Sequence, residues 1–204
     1  MLWFKFIKFD SKTYVFHYKK GRIVNEGVGL AFRASKRKSS IEAITLGSRD
    51  IPFIFSESTS DFQTVSVQGQ ITYMIEDPKK IAEVLDFTVD LDGIEKTDDD
   101  QKLEQRLVNE AQTASTSFIQ GIDLRSTITS AQTIQEKISK GLSSSDTVIS
   151  LGIKIMSVNI IAVKPTPEME KALETTTREK LQQEADQAIF DRRNFAVEQE
   201  RIIK

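Results

Sequence analysis

A single imidazole, His17, and no thiol are available to a chain of 204 residues. Without cysteine there is no disulfide framework, no thiol nucleophile and no thiolate metal site. With one histidine, a His-based catalytic pair or a His-rich zinc site has no residues to work with inside one chain. Carboxylate and Ser-Lys chemistry remain. Asp98-Asp99-Asp100 is three adjacent acids, the composition of a solvated loop rather than of a matched acid and base. Asp90-x-Asp92 opens like a calcium loop, but Gly93 stands at the fourth position and no glutamate closes it. No catalytic, cofactor-binding or metal-ligating residue is expected, and the classes left are surfaces that bind or assemble.

The chemistry the chain does carry is interfacial. It begins Met1-Leu-Trp-Phe-Lys-Phe-Ile-Lys-Phe9, in which Leu2, Trp3, Phe4, Phe6, Ile7 and Phe9 are interrupted only by Lys5 and Lys8. This is far short of the roughly 20 apolar residues that span a bilayer, and it lacks the unbroken apolar core and small-residue cleavage site of a signal peptide. Aromatic rings beside ammonium groups suit the headgroup zone of a membrane. Leu2, Trp3, Phe4, Phe6 and Ile7 are therefore expected to touch lipid, with Lys5, Lys8 and Lys12 on anionic headgroups. The competing reading makes this segment a first strand tucked into a sheet. One shallow anchor is weak, so attachment would need many copies or further lipid contacts.

Charge supports an anionic partner. The net charge is −2, yet residues 1–40 hold ten basic against two acidic side chains, leaving residues 41–204 with an excess of ten negative charges. An acidic membrane surface or nucleic acid could meet such a face. No nucleic-acid recognition motif accompanies it, so nucleic acid is not the expected partner.

The elements that must hold this surface alternate in type. Residues 13–18 are aromatic and β-branched, Lys19-Lys20-Gly21 reads as a hairpin turn, and residues 22–32 resume a strand with Gly27 and Gly29 permitting a bulge. Residues 33–40 read as a polar, basic loop, followed by short strands at 41–46 and 51–55, with Pro52 at an edge or a strand start. Strict alternation of Val65, Val67, Gly69, Ile71, Tyr73 and Ile75 with polar neighbours predicts a long, half-buried antiparallel strand. Asp77-Pro78 ends it and caps a helix.

Residues 90–100 read as an acidic loop. Leu103, Leu107, Ala111, Ala114 and Phe118 then mark an amphipathic helix that Gly121 stops, and Asp123 or Ser126 caps another running to about residue 142. Ser143-Ser-Ser-Asp146 is a turn or the cap of a further helical turn. Residues 153–163 are rich in Ile and Val on both faces, which implies a buried strand, and Pro165 and Pro167 end it.

From residue 168 to the last there is no Gly or Pro, and a fully helical segment of about 37 residues would be a rod of roughly 55 Å. Leu181, Ala185, Ala188, Arg192, Phe195, Gln199 and Ile202 are spaced alternately four and three, a heptad seam. Leu181, Ala185, Ala188, Phe195 and Ile202 are the expected self-association residues. No stop signal closes the helix, so the rod is expected to run on in a longer protein.

The order of these parts resembles the SPFH (band 7) family of stomatin, prohibitin and flotillin. The resemblance rests on Val65-x-Val-x-Gly-x-Ile-x-Tyr-x-Ile-x-Asp-Pro78, on the break at Asp123-Leu-Arg-Ser-Thr-Ile128, and on Gly152-Ile-Lys-Ile-Met-Ser-Val-Asn-Ile160 leading into Pro165-x-Pro167 and Ala172. It implies an α+β fold: an antiparallel sheet domain with packed helices over residues 13–164, preceded by a membrane-contacting segment at 1–12 and followed by the start of a coiled-coil helix at 165–204. It also implies a membrane-associated scaffold without catalytic residues or cofactor. Such scaffolds assemble into rings or cages, with themselves or a closely related SPFH protein, on a membrane lipid surface. They organise membrane patches and restrain or present partners such as a membrane-bound protease or channel. The chain lacks the family's transmembrane or re-entrant segment, which makes shallow, flotillin-like contact the better analogy. The alternative is a soluble coiled-coil adaptor without stable membrane contact.

Overall fold

Alternating and helical patterns resolve into nine strands and six helices among the described residues. The structure, a computed structural model, describes residues 4–35, 38–94 and 96–203; the side-chain environments it describes exclude Phe4, Val197, Glu198, Glu200 and residues 201–203. In chain order the first elements are β1 (Phe4–Lys8), β2 (Thr13–Lys19), β3 (Arg22–Val28), β4 (Ala31–Ser35), β5 (Ser39–Thr45), β6 (Arg49–Ser58) and β7 (Thr64–Ile75). Then come α1 (Pro78–Ala82), β8 (Thr88–Val89), α2 (Asp99–Gln120), α3 (Leu124–Thr129), α4 (Ala131–Ser144), α5 (Asp146–Ser150), β9 (Ile153–Pro165) and α6 (Pro167–Ile203). The fold is α+β, and the chain divides into two compact units, Met1–Val163 and Lys164–Lys204.

Three sheets make up the strand part of the first unit. β1 pairs with β4, β3-β2-β5-β8 form a second sheet, and β6-β7-β9 a third. The first two share a core in which Ile7, Val15, Ala34, Ile41 and Val89 are buried. Each of these Ile and Val side chains removed from water contributes about 1.5–3 kcal/mol. In the third sheet the alternation of β7 behaves as its sequence requires: Val65, Val67, Ile71, Tyr73 and Ile75 face inward. So do Ile51, Phe53 and Phe55 of β6, opposite α2, whose buried stripe is Leu103, Leu107, Ala111, Ser115 and Ile119. Gln112 and Thr116 of α2 both bond the Glu57 carboxylate of β6. Pro52 takes its place on β6, an edge strand, where the missing amide disrupts no ladder on the outer side.

The turn after β7 is built as the Asp-Pro pair predicts. The Asp77 carboxylate accepts from the amides of Lys79 (3.1 Å) and Lys80 (3.4 Å), and Pro78 occupies the first helical position. Gly152 closes the same corner: its carbonyl accepts from the amides of Glu76 and Asp77, and its φ is +65°. A Cβ there would lie 2.7 Å from Asp77 Cβ, so only glycine fits both the angle and the approach.

Four local expectations are corrected. Residues 33–40 do not form one loop, since Arg33–Ser35 complete β4 and Ser39-Ser40 open β5. The strand expected over residues 22–32 is two, β3 ending at Val28 and β4 beginning at Ala31, with Gly29 at φ +64° between them; the two-residue β8, which no pattern marks, pairs with β5. The helix expected from residue 123 to 142 is two helices, α3 and α4, that meet at Ser130, where φ −98° and ψ +26° leave the helical range. β9 is not buried on both faces. It is the other edge of its sheet, and Met156 and Ile161 are exposed on it.

Candidate functional site

The N-terminal segment expected to touch lipid is a paired strand from Phe4 onward. Its register with β4 runs from Phe4 opposite Ser35 to Lys8 opposite Ala31. Pairing imposes a period of two, so alternate residues part company. Ile7 points into the core and is 7% exposed, which removes it from the lipid-facing set in this fold; Phe6 points out and is 63% exposed. Leu2 and Trp3 lie outside the described residues, as does the side chain of Phe4. Of the expected lysines, Lys5 is paired with Asp92, and Lys8 and Lys12 are exposed.

The strand registers divide these lysines between two ends of the sheets. Phe4 meets Ser35; the amide of Lys38 bonds the Ser35 carbonyl; Ser39 meets Lys19; and Lys19 meets Arg22 across the Lys20-Gly21 turn. One end therefore gathers the start of β1, the β2–β3 hairpin tip and the β4–β5 connection, with Lys19, Lys20, Arg22 and Lys38 all exposed. Lys12 belongs to the opposite end, where its carbonyl accepts from Leu46. Sequence reasoning assigned the basic excess to the first forty residues but chose the lysines nearest the aromatic start. β2 alone sets Lys12 and Lys20 at opposite ends; what no local pattern carries is the pairing of Ser39 with Lys19 and of Phe4 with Ser35, which brings Lys38 and the start of β1 to the Lys20 end.

At the basic end a cleft of about 470 Å³ opens between Tyr18, Lys20, Lys38, Ser39, Ser40 and Glu42. The Tyr18 hydroxyl donates to Glu42 Oε2 at 3.3 Å. Burial pushes both groups up, the Glu42 carboxyl above the usual carboxylate range and the Tyr18 phenol above its ordinary value.

His17 is the neighbouring titratable group, and it is a core residue. It is 1% exposed, its ring stacks on Phe32 at 4.2 Å, Nε2 lies 3.1 Å from Ser39 Oγ, and the Asn25 amide nitrogen is 3.3 Å from Nδ1. Burial, followed by the charge of Lys19, holds its pKa below 6.5. Asn25 donating to Nδ1 leaves Nε2–H to donate to Ser39, the pattern of a neutral imidazole.

The acids singled out in the sequence are structural. Asp90 Oδ1 accepts from the amides of Asp92 (2.7 Å) and Ile94 (2.9 Å), with the Ile94 amide first among the causes that lower its pKa, so Asp90-x-Asp92-Gly93 is a turn closed on itself. Asp98-Asp99-Asp100 is not the solvated loop expected of it. Asp99 and Asp100 form the first turn of α2, where acids suit the helix dipole. Asp99 accepts from the Asp86 amide at 2.9 Å, and Asp100 holds Arg49 of β6 at 2.6 Å.

In the second unit α6 covers Pro167–Ile203, as the lack of breakers predicts. Leu181, at 61%, and Phe195, at 67%, are exposed, as are Ala185 and Ala188; the side chain of Ile202 lies outside the described residues. Ile189 and Phe190, which the heptad reading passed over, are exposed as well. So is Phe62, 92% exposed at the β6–β7 tip with φ +58° and unmarked by any periodicity. No described helix is long and apolar enough to cross a membrane. No curated protein matches the chain. The model of the SPFH domain / Band 7 family matches residues 12–196, from the first hairpin through most of α6, and the chain therefore belongs to that family.

Proposed function

We propose that this chain is an oligomeric scaffold on a membrane surface, assembling through α6 into rings or cages that organise membrane patches. The family is one of membrane-associated scaffolds, and the reading extends that to this chain's own residues. The membrane contact lies within residues 1–12, at the end where β1 begins, while 13–164 form the sheet domain and 165–204 the opening of the coiled-coil rod. The observation that carries the assembly half is the exposed apolar seam: Leu181 and Phe195 stand open to solvent on a helix with small Ala185 and Ala188 between them. Burying that seam against identical neighbours removes apolar surface from water, and alanines let the rods approach closely. A contact repeated between neighbours closes into a ring when its rotation allows. Membrane-bound proteases or channels are the partners such a scaffold would restrain or present, and neither chemistry nor cofactor is required of it.

The test is Leu181→Asp with Phe195→Asp. Two buried charges in the seam should convert large particles to monomers in light scattering while the sheet domain melts as before. Particles of unchanged size would place self-association elsewhere. The pairing of β1 with β4 favours one element of the adaptor alternative, a first segment that is simply a strand; flotation with anionic liposomes separates the two.

A further inference from the structure

Exposed basic side chains gather at one end of the sheets, where Lys19, Lys20, Arg22 and Lys38 stand together. Lys8 and Lys12, equally without a carboxylate within 4.0 Å among the described residues, stand apart at the other end. Among the described residues none of Lys19, Lys20, Arg22 and Lys38 has a carboxylate within 4.0 Å, whereas Lys5 is held by Asp92 and Lys79 by Glu26. Resting on the membrane reading above, we propose that the end built from the β2–β3 tip and the β4–β5 connection docks on the anionic phospholipid headgroups of a bilayer. Lys20, Arg22 and Lys38 make the contact, and Lys8 and Lys12 stay out of it.

Distance separates the two sets of lysines. β2 runs from Thr13 to Lys19, six steps of about 3.3 Å, so the Lys12 end stands about 20 Å from the Lys19 end. Screening at physiological salt sets in at about 8 Å. A headgroup layer touching Lys20 is therefore several screening lengths from Lys12. Lys8 lies four steps along β1 from Phe4, about 13 Å away, and is screened too. The start of β1 enters at the basic end, so the aromatic segment and the free cations meet the surface together. The cleft between Lys20 and Lys38 gives a phosphate room between two ammonium groups, with Ser39 and Ser40 also lining it. Glu42, the acid on that wall, is engaged by Tyr18.

The test compares the full chain with two variants, Lys20→Gln/Arg22→Gln/Lys38→Gln and Lys8→Gln/Lys12→Gln, by flotation with phosphatidylcholine vesicles with and without phosphatidylserine at 0.15 M salt. Each basic group near an anionic surface is worth about a factor of five, so the triple variant should bind the anionic vesicles roughly a hundredfold less tightly. The double variant should stay within about twofold of the parent. All three side chains are exposed, and matching melting curves confirm that the fold is kept. Equal loss in both variants, or loss only in the Lys8/Lys12 variant, overturns the assignment while leaving membrane association standing. A parent chain that floats with neither vesicle overturns the membrane reading and this inference with it. So does a parent that binds double-stranded DNA through the same three residues but no vesicle.

Discussion

Gly141 lies inside α4, where a glycine should be a weakness, and it faces α2. Exchanging it for alanine gains about 0.8–1 kcal/mol of helix propensity if nothing stands in the way. Something does: the new Cβ would lie 2.3 Å from the Cβ of Ala114 and 3.5 Å from its Cα. Carbon atoms in contact prefer about 3.5–4.0 Å, and the obstacle is a methyl fixed to a helix backbone, with no rotamer to escape into. Overpacking costs about 1–3 kcal/mol, and a clash this deep belongs in the upper half of that range. The clash outweighs the propensity gain, and Gly141→Ala should destabilise by about 1–2 kcal/mol. In a chain of this size that lowers the melting temperature by roughly 2–8 °C. Ala114→Gly alone should cost about 1 kcal/mol of propensity. The double variant moves the methyl from one helix to the other and should melt close to the parent, a coupling of about 2–3 kcal/mol. Circular dichroism melts of the four proteins decide it. A rise in melting temperature for Gly141→Ala, or strict additivity in the double variant, would falsify the close α2–α4 packing.

Stability should depend on pH through His17: the unfolded imidazole takes a proton near 6.5, the buried one only at lower pH. This contribution is present in full above 6.5 and declines as pH falls through 6.5 toward the folded value, at no more than about 1.4 kcal/mol per pH unit. His17→Gln should flatten the slope between pH 7.5 and 5.5, and an unchanged slope would mean that the imidazole titrates freely. The two outward and inward residues of β1 should separate cleanly. Ile7→Ser should cost at least about 2 kcal/mol, as truncations of buried Ile do. Phe6→Ser should stay within about 0.5 kcal/mol in a melt; equal melting of both would dislodge β1 from the sheet.

What sequence shows well here is whatever depends on near neighbours. The β7 alternation, the Asp77-Pro78 cap, Leu103, Leu107 and Ala111 of the α2 stripe and the breaker-free α6 all follow from periods of two or 3.6 and from cap chemistry, and each stands in the fold. The stripe goes on through Ser115 and Ile119 rather than Ala114 and Phe118. What it hides depends on pairing at a distance. Ile7 reads as an interfacial residue until β4 is placed beside β1, and β9 reads as a buried strand until it becomes a sheet edge. The break at Ser130 falls inside an apolar spacing that periodicity reads as one helix. The same limit governs the candidate surface. Composition gives the sign of the charge on residues 1–40 and the strand β2 parts Lys12 from Lys20, while only register brings Lys38 and the start of β1 to the Lys20 end.

The central claim is assembly of this chain on a membrane surface, and the size of the particle it forms there tests that most directly. At micromolar concentration with phosphatidylserine-containing vesicles, light scattering and electron microscopy should find vesicle-bound particles of many subunits with closed, repeating outlines. A monodisperse species of 23.1 kDa, the mass of one chain, under the same conditions would contradict the account.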